Sequence, residues 1–301
     1  MSSDAANFIG DIPQHYDRAL GPMIFVDYAT DMARRAADSS PARVLETAAG
    51  TGIVTRQLRS LLNAGAHLTA TDLNSPMLEV ARTKFQPGEQ VEFRPADATA
   101  LPFPDGTFDA VVCQFGVMFF PDKDRSYHEV CRVLAPGGRY LFSVWDSHRY
   151  NAFGRLAHEV AGSFFPDDPP QFYRVPFSCY LIDPIKEALL GAGFADITVA
   201  IVTLEKQIPN AAFFARGLIH GNPLIEQIRG RGGVDPSRIV DAFDAGIAPG
   251  IRGRSWSDDP PGHCIFREQA TVIPTSVSVR RCFSARSKSE SPKNGLMLCA
   301  M

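Results

Sequence analysis

The sequence predicts an α/β protein with a doubly wound, mainly parallel sheet and helices on both faces. Three observations support this prediction. Short apolar runs alternate with amphipathic stretches between residues 42 and 145, as strands and helices do in such folds. A glycine-rich turn follows the first apolar run. Acidic residues follow three successive runs, which in a parallel sheet places them along one edge.

Several apolar runs have the length of β-strands and are rich in β-branched or aromatic residues. They cover residues 42–47, 67–71, 91–94, 109–115 and 138–145. A sixth run, from 195 to 208, alternates apolar and polar side chains and predicts a further strand. Together these runs predict a nearly complete sheet.

Helical periodicity separates the predicted strands. Apolar residues recur at helical spacing from Val54 to Leu62, and Ser75 before Pro76 is typical of a helix start. That second helix is predicted to reach about Phe85. Further helices are predicted over 23–37, 124–134, 150–165 and 183–193. A loop rich in proline and aromatic residues, 167–179, is of the kind that covers a site.

The predicted domain organisation has four parts, the last of which is the segment 252–301. Residues 1–40 are expected to form a helical cap over the site. Residues 41–208 are expected to form the ligand-binding domain, with a lid-like insertion near 149–180. Residues 209–251 are expected to be a helical C-terminal part.

Residues 252–301 differ in composition from the rest of the chain. They carry eight Lys and Arg against four Asp and Glu, a net charge of +4, whereas the whole chain carries −3. We interpret them as a flexible or atypical tail. Two alternatives stay open: an edge strand near 271–279, and residues foreign to the fold, as after a late change of reading frame.

Composition excludes several classes of protein. With 45% hydrophobic and 21% charged residues the chain is typical of soluble globular proteins, and its near-neutral charge disfavours nucleic acid as a partner. No apolar run approaches the ~20 residues of a membrane span, and the acidic N-terminus is unlike a secretion signal, so a cytoplasmic location is expected. The six cysteines show no metal-binding spacing, so we expect reduced thiols and no metal site.

The turn after the first strand reads ETAAGTG, from Glu46 to Gly52. Glycines at such a turn let a ligand approach the backbone, and the next helix presents free N–H groups. A dinucleotide site would have a small residue where Thr55 stands, and the Glu46 carboxylate would repel a phosphate. The turn therefore favours a ligand with a cationic or amine group over NAD(P).

Glu46 is the first of three acids that follow successive strands. Asp72 lies twenty residues after Gly52, where a carboxylate can accept both hydroxyls of a ribose. Asp97 follows the third strand and can accept a hydrogen bond from an adenine amine. S-Adenosylmethionine combines an amine, a ribose and an adenine without a phosphate, so it is the predicted cofactor. Capping of neighbouring helices, or a plain turn acid at Asp97, is the structural alternative.

These motifs resemble the class I S-adenosylmethionine-dependent methyltransferases, especially the group that includes the ubiquinone and menaquinone biosynthesis C-methyltransferases. The resemblance is carried by ETAAGTG, ATD, PADATALPFPDGTFDAVVCQFG and EVCRVLAPGGRYLFSVW. It covers residues 16–145 in detail and extends loosely to about 208. It implies a Rossmann-like methyltransferase domain that binds S-adenosylmethionine. Ala48 departs from the family, which commonly has glycine at this position.

The resemblance also implies roles for individual residues. Glu46 and the backbone around Ala48, Gly50 and Gly52 would hold the methionine portion of the cofactor. Asp72 would bind the ribose. The other implied cofactor contacts are Asp97 and Ala98 at the adenine, Leu73 and Met77 beside it, Gln114 and Phe115 along the bound molecule, and Tyr16 nearby. For Met77, core packing is an equal alternative.

Methyl transfer from a sulfonium is an in-line displacement that positioning alone promotes, although an acidic acceptor would also use a general base. His148 follows the fifth strand, two residues after Asp146, and is the candidate base. The predicted function is methyl transfer to a small lipophilic or aromatic acceptor at oxygen or carbon. Phe172, Tyr173 and Phe177 of the loop, with Tyr16 and Tyr28, are candidates to enclose it.

Three alternatives to this function stay open. The first is a protein or RNA methyltransferase, and the second is a nonenzymatic protein that binds S-adenosylmethionine. The third is an NAD(P) oxidoreductase, which the residues of the first turn disfavour.

Overall fold

The computed structural model describes residues 3–250 and 264–277. Within them the chain forms one eight-stranded sheet flanked by helices, which confirms the predicted fold class. The strands are β1 (Arg43–Glu46), β2 (His67–Asp72), β3 (Val91–Pro95), β4 (Phe108–Gln114), β5 (Leu134–Trp145), β6 (Phe194–Ala195), β7 (Ala200–Ile208) and β8 (Cys264–Val277).

The strand order is β3-β2-β1-β4-β5-β8-β6, and β7 also pairs with β8. Strands β1 to β5 are parallel, whereas β8 runs antiparallel to β5, β6 and β7. The order reverses between β1 and β4, because β2 lies on one side of β1 and β4 on the other. Open α/β sheets bind ligands at such a reversal, beyond the carboxyl ends of the strands. The topology therefore predicts a ligand site formed by the loops after β1, β2 and β4.

The α-helices lie close to the predicted periodic segments. They are α1 (Ile12–His15), α2 (Val26–Ala37), α3 (Ile53–Leu61), α4 (Ser75–Arg82), α5 (Lys123–Val133), α6 (Ala152–Ser163), α7 (Ile182–Ala192), α8 (Ala211–His220), α9 (Leu224–Arg231) and α10 (Pro236–Gly250). In the described part of the chain, none is long and apolar enough to cross a bilayer.

The N-terminal helical region is longer than the predicted 23–37. A π-helical stretch, Tyr16–Phe25, joins α1 to α2 and contains Pro22. Proline has no N–H to donate to the preceding turn, so regular α-helical hydrogen bonding is interrupted there. The same stretch contacts α8, which places Tyr16 close to the sheet edge.

Part of the segment that we interpreted as a flexible or atypical tail forms strand β8 in the structure. This strand lies between β5 on one side and β6 and β7 on the other, and Ala270 and Ile273 are fully buried. Its partners are remote in sequence, and Pro274 interrupts the local pattern, so only tertiary pairing defines the strand. The alternative edge strand near 271–279 is thus replaced by an interior one. Residues 252–263 and 278–301 lie outside the described part.

Candidate functional site

A cavity opens at the carboxyl ends of β1, β2 and β4, and we call it the strand-end cavity. Ten of the thirteen predicted site residues line it, drawn from the N-terminal segment and from the loops after four strands. They are Tyr16, Ala48, Gly50, Asp72, Leu73, Met77, Asp97, Ala98, Gln114 and Phe115. The three that do not line it are Glu46, Gly52 and His148.

The turn between β1 and α3 forms the floor of this cavity through left-handed backbone. The φ angles are 52° at Ala48, 55° at Gly50 and 77° at Gly52. A Cβ atom at Gly52 would lie 2.8 Å from the Cβ of Ala81, so glycine lets the start of α3 approach α4. Gly52 therefore shapes the turn rather than the cavity surface.

Ala48, the departure from the family pattern, is accommodated by a neighbouring glycine. Its methyl group occupies space that a side chain at Gly116 would need, since a Cβ there would lie 2.5 Å from the Cβ of Ala48. The left-handed backbone still costs an alanine about 1 kcal/mol. The turn therefore keeps its geometry at a modest energetic cost.

Asp72 is locked into the same turn by hydrogen bonds. Its Oδ2 accepts the Gly50 N–H at 2.9 Å, and its Oδ1 accepts the Asn74 N–H at 2.8 Å and the Asn74 side-chain amide at 3.3 Å. Burial raises the pKa of this carboxyl group, while these donors oppose the shift. A carboxylate has about four acceptor positions. One position on Oδ2 is left for a ligand hydroxyl.

Glu46 lies in a recess next to the strand-end cavity. The two share four lining residues: Tyr16, Ala48, Gly50 and Gln114. Its side chain is only 1% exposed, and burial raises its pKa to about 8. Its Oε2 has no hydrogen-bond partner among the described residues. Two other buried oxygens nearby, Thr51 Oγ1 and Gln114 Oε1, share this condition. Thr55 interacts with the Glu46 carboxyl group through its hydroxyl and its N–H, and both oppose the rise of the Glu46 pKa.

Unpaired buried polar atoms are rare in proteins because each carries a desolvation cost. Glu46 and Gln114 both line the recess and both offer unpaired acceptor oxygens. An ammonium group brings three donors and no acceptor. The recess therefore has the chemistry of a site for an amine-bearing ligand.

The opposite end of the strand-end cavity is more open. Asp97 is exposed, and its Oδ1 accepts the Thr99 N–H at 2.7 Å and the Thr99 hydroxyl at 2.8 Å, which leaves Oδ2 available. Leu73 is 64% exposed at the cavity wall, whereas Met77 is buried. This end of the cavity therefore combines an acceptor oxygen with apolar side chains, a chemistry that suits a flat, partly apolar group with a donor.

A second cavity, which we call the aromatic cavity, adjoins the first. The two share the walls formed by Phe8, Tyr16, Phe115 and Phe119. Ten aromatic side chains line it: these four and Phe25, Trp145, Phe153, Phe172, Tyr173 and Phe177. Tyrosines are its only titratable lining residues in the described part of the chain. The rings of Phe115 and Trp145 stack at 3.9 Å between centroids.

The structure brings most of the predicted acceptor residues to this cavity. Phe172, Tyr173 and Phe177 line it together with Tyr16, whereas Tyr28 does not. Tyr28 packs edge-on against Phe115 at 5.3 Å, behind the cavity wall. Sequence reasoning missed Phe8, Phe25, Trp145 and Phe153, because only the fold brings the N-terminal segment and the end of β5 together.

His148 lies outside the linings of the strand-end cavity, the recess and the aromatic cavity. Its Nε2 is 3.1 Å from the backbone oxygen of Tyr173, and its ring centroid is 4.5 Å from that of Phe177. Burial and the neighbouring His158 lower the pKa of His148. The geometry places this histidine behind the wall of the aromatic cavity.

The sequence profile of the methyltransferase domain family matches residues 45–142. A ubiquinone/menaquinone biosynthesis C-methyltransferase of Chromobacterium violaceum is 33% identical over 181 residues, which cover 55% of this chain and 74% of that protein. The chain belongs to this methyltransferase family. Its members are class I S-adenosylmethionine-dependent methyltransferases, which excludes the NAD(P) alternative.

Two further similarities agree with this family. The demethylmenaquinone methyltransferase of Thermus thermophilus is 43% identical over 126 residues, which cover 40% of this chain and only 57% of that protein. A Haemonchus contortus phosphoethanolamine N-methyltransferase solved with S-adenosyl-L-methionine has a TM-score of 0.56 at 17% identity, covering 92% of this chain and 60% of that one. This likeness shows the methyltransferase fold.

Proposed function

We propose that this chain transfers a methyl group from S-adenosylmethionine to a small, neutral aromatic acceptor of the quinol type. One observation carries the proposal: the strand-end cavity, whose lining includes carboxylate and amide oxygens, shares a wall with the aromatic cavity. The first offers acceptor oxygens for an amine, a hydroxyl and an adenine amine. The second offers aromatic rings. A methyl donor and a flat acceptor can therefore meet at the shared wall.

The residues of the strand-end cavity and its recess fit the cofactor. Glu46 and Gln114 would accept hydrogen bonds from its ammonium group, Asp72 Oδ2 from a ribose hydroxyl, and Asp97 Oδ2 from the adenine amine. When bound, S-adenosylmethionine supplies an electrophilic methyl group whose bonding electron pair stays on the departing sulfur. Tyr16 and Phe115 would orient the two reactants, since both line both cavities.

The lining of the aromatic cavity supports a neutral acceptor. Burying an unpaired charge among aromatic rings is costly, and this lining has no carboxylate, ammonium, guanidinium or imidazole group in the described part of the chain. Its polar side-chain groups are the Tyr16 and Tyr173 hydroxyls, the Asn222 amide and the Trp145 indole N–H. The Tyr173 hydroxyl and the Asn222 amide already pair with each other and with the Leu218 carbonyl, so Tyr16 and Trp145 are the groups that would bond a quinol hydroxyl.

We propose a ring carbon as the methylated atom, since the Chromobacterium relative is named a C-methyltransferase. The ring carbon forms a bond to the methyl group as the methyl–sulfur bond breaks with its electron pair staying on sulfur. The methylated ring then loses its hydrogen as a proton, which passes to solvent as the cavity opens for product release. Excluding bulk water from the approach and holding the ring in line are then the main tasks of the aromatic residues.

Methyl transfer to short-chain naphthoquinols and benzoquinols tests the proposal. With isotopically labelled S-adenosylmethionine under reducing conditions, we expect label on a ring carbon, located by NMR of the product. Phe172→Ala should raise the acceptor KM about tenfold by removing a buried wall, whereas Phe213→Ala, at an exposed aromatic residue, should not.

Binding of S-adenosylhomocysteine without methylation of any quinol would contradict the proposal. That result would favour a nonenzymatic binding protein. Methylation of a peptide or an RNA in place of quinols would favour a macromolecular acceptor.

A further inference from the structure

We propose that His148 is a positioning residue that fixes the loop wall of the aromatic cavity, and that Gly154 provides the space this wall requires. The proposal rests on the proposed function, because it concerns the same acceptor site. It assigns His148 a role different from the general base that the sequence suggested.

The hydrogen bond of His148 determines which ring nitrogen carries the proton. The Tyr173 carbonyl oxygen, 3.1 Å from Nε2, is an acceptor only, so Nε2–H must donate to it. In the neutral ring the lone pair then lies on Nδ1. His148 therefore uses Nε2 to hold the backbone of the loop.

The two residues that His148 contacts both form part of the wall of the aromatic cavity. Tyr173 and Phe177 line the aromatic cavity, whereas His148 does not. The His148 ring packs on Phe177 at 4.5 Å between centroids, and Tyr173 is further held by its hydroxyl, which donates to the Leu218 carbonyl at 2.8 Å. Loss of the His148 hydrogen bond would detach the loop from the end of β5. The hydrogen bond from Tyr173 to Leu218 on α8 would remain in place.

Gly154 on α6 lies against Phe177 and is not itself part of the lining of the aromatic cavity. A Cβ atom at Gly154 would lie 2.3 Å from two ring carbons of Phe177, far closer than real contacts allow. Any side chain there must displace the ring, and because Phe177 lines the cavity whereas Gly154 does not, we infer that the ring moves toward the cavity. Such a displacement takes volume from the acceptor site, so Gly154 determines how large an acceptor fits.

Two substitutions of His148 separate positioning from base catalysis. His148→Gln retains a side-chain N–H donor near the position of Nε2 but cannot act as a base. We expect its kcat and acceptor KM to stay within about threefold of wild type, whereas His148→Ala raises the acceptor KM about tenfold with little change in kcat. The exposed His128→Ala is the matched control.

A general base at His148 would give a different result. Both substitutions would then lower kcat about a hundredfold, and the acidic limb of the pH profile, where activity rises as the base loses its proton, would be lost. That outcome would overturn the positioning role. The KM for S-adenosylmethionine should not change in any of these variants.

Gly154→Ala tests the second half of the proposal. We expect the preference for two-ring over one-ring quinols, measured as kcat/KM, to fall about tenfold. Adding Phe177→Leu to the Gly154→Ala chain should restore the preference for two-ring quinols, because the smaller side chain returns the cavity volume that the displaced ring had taken. An unchanged preference in a folded Gly154→Ala protein would overturn the proposal, and if that variant does not fold, the His148 pair decides.

A binding measurement keeps this proposal distinct from the proposed function. Trp145 lines the aromatic cavity, and in a Trp256→Phe background it is the single tryptophan. Quenching of its fluorescence by 1-naphthol should weaken about tenfold in Gly154→Ala and in His148→Ala, but not in His148→Gln. We expect this pattern of 1-naphthol binding whether or not the protein methylates a quinol. A protein that shows the pattern but methylates no quinol would therefore contradict only the proposed function.

Discussion

Replacing Glu46 with glutamine should stabilise the protein and weaken cofactor binding. Burial raises the pKa of Glu46 to about 8 from an ordinary 4.5. The folded chain therefore holds this proton more tightly than the unfolded chain, and its free energy of unfolding falls as the pH rises from about 4.5 to about 8. Each pH unit in that range costs about 1.4 kcal/mol, so the cost at pH 7 is about 3 kcal/mol.

Glu46→Gln removes this titration while keeping the shape of the side chain. We expect its stability gain over wild type to grow by about 4 kcal/mol between pH 5 and pH 8, because only wild type is penalised at the higher pH. Urea unfolding followed by circular dichroism at each pH measures this difference. Glu92→Gln, at an exposed position on the neighbouring part of the sheet, is the matched control and should show no such trend.

Cofactor affinity should change in the opposite direction. Binding an ammonium group requires Glu46 to be ionised, so the affinity of wild type for S-adenosylhomocysteine should rise up to about tenfold per pH unit from pH 6 to about 8. In Glu46→Gln the affinity should be about thirtyfold weaker at pH 8, and this part of its pH dependence should disappear. Equal affinity and an equal pH dependence in the two proteins would refute this role of the carboxylate.

Three further substitutions test the turn between β1 and α3. Ala48→Gly should raise the melting temperature by about 2 °C in calorimetry, since glycine relieves the left-handed backbone at φ 52°; a decrease would contradict the strain. Gly52→Ala should lose about 2 kcal/mol in urea unfolding, because its Cβ would meet Ala81 at 2.8 Å. Asp72→Ala should weaken binding of S-adenosylhomocysteine at least about a hundredfold in titration calorimetry, and unchanged binding would contradict its assignment.

The sequence predicts the parallel part of the fold well because its signals are local. Strands β1 to β4 begin and end within about two residues of the predicted runs, because each run is of strand length and rich in apolar or β-branched residues, whether buried as in β4 or partly exposed as in β3. The sequence favoured a flexible or atypical tail over β8 and kept a strand near 271–279 only as an alternative, because β8 is stabilised by pairing with β5 and β7, remote in the chain. No local pattern could show that an irregular segment carrying Pro274 fills the interior of the sheet.

The candidate site likewise has features that local sequence predicts and features that only the folded chain creates. The acids Glu46, Asp72 and Asp97 follow strands directly, so their shared edge could be predicted from the order of the strands. The aromatic cavity could not, because Phe8 and Phe153 are about 145 residues apart and meet only after the N-terminal segment packs on α8. His148 illustrates the limit most clearly, since its place after β5 suggested a base while its hydrogen bond points to the loop.

Titration calorimetry with two ligands tests the central claim, that the strand-end cavity and its recess bind an amine-bearing nucleoside. We predict that S-adenosylhomocysteine binds with one site per chain and that NAD⁺, whose phosphates would face Glu46 and Asp72, produces no binding heat at the same concentrations. Binding of NAD⁺ with no response to S-adenosylhomocysteine would contradict the account.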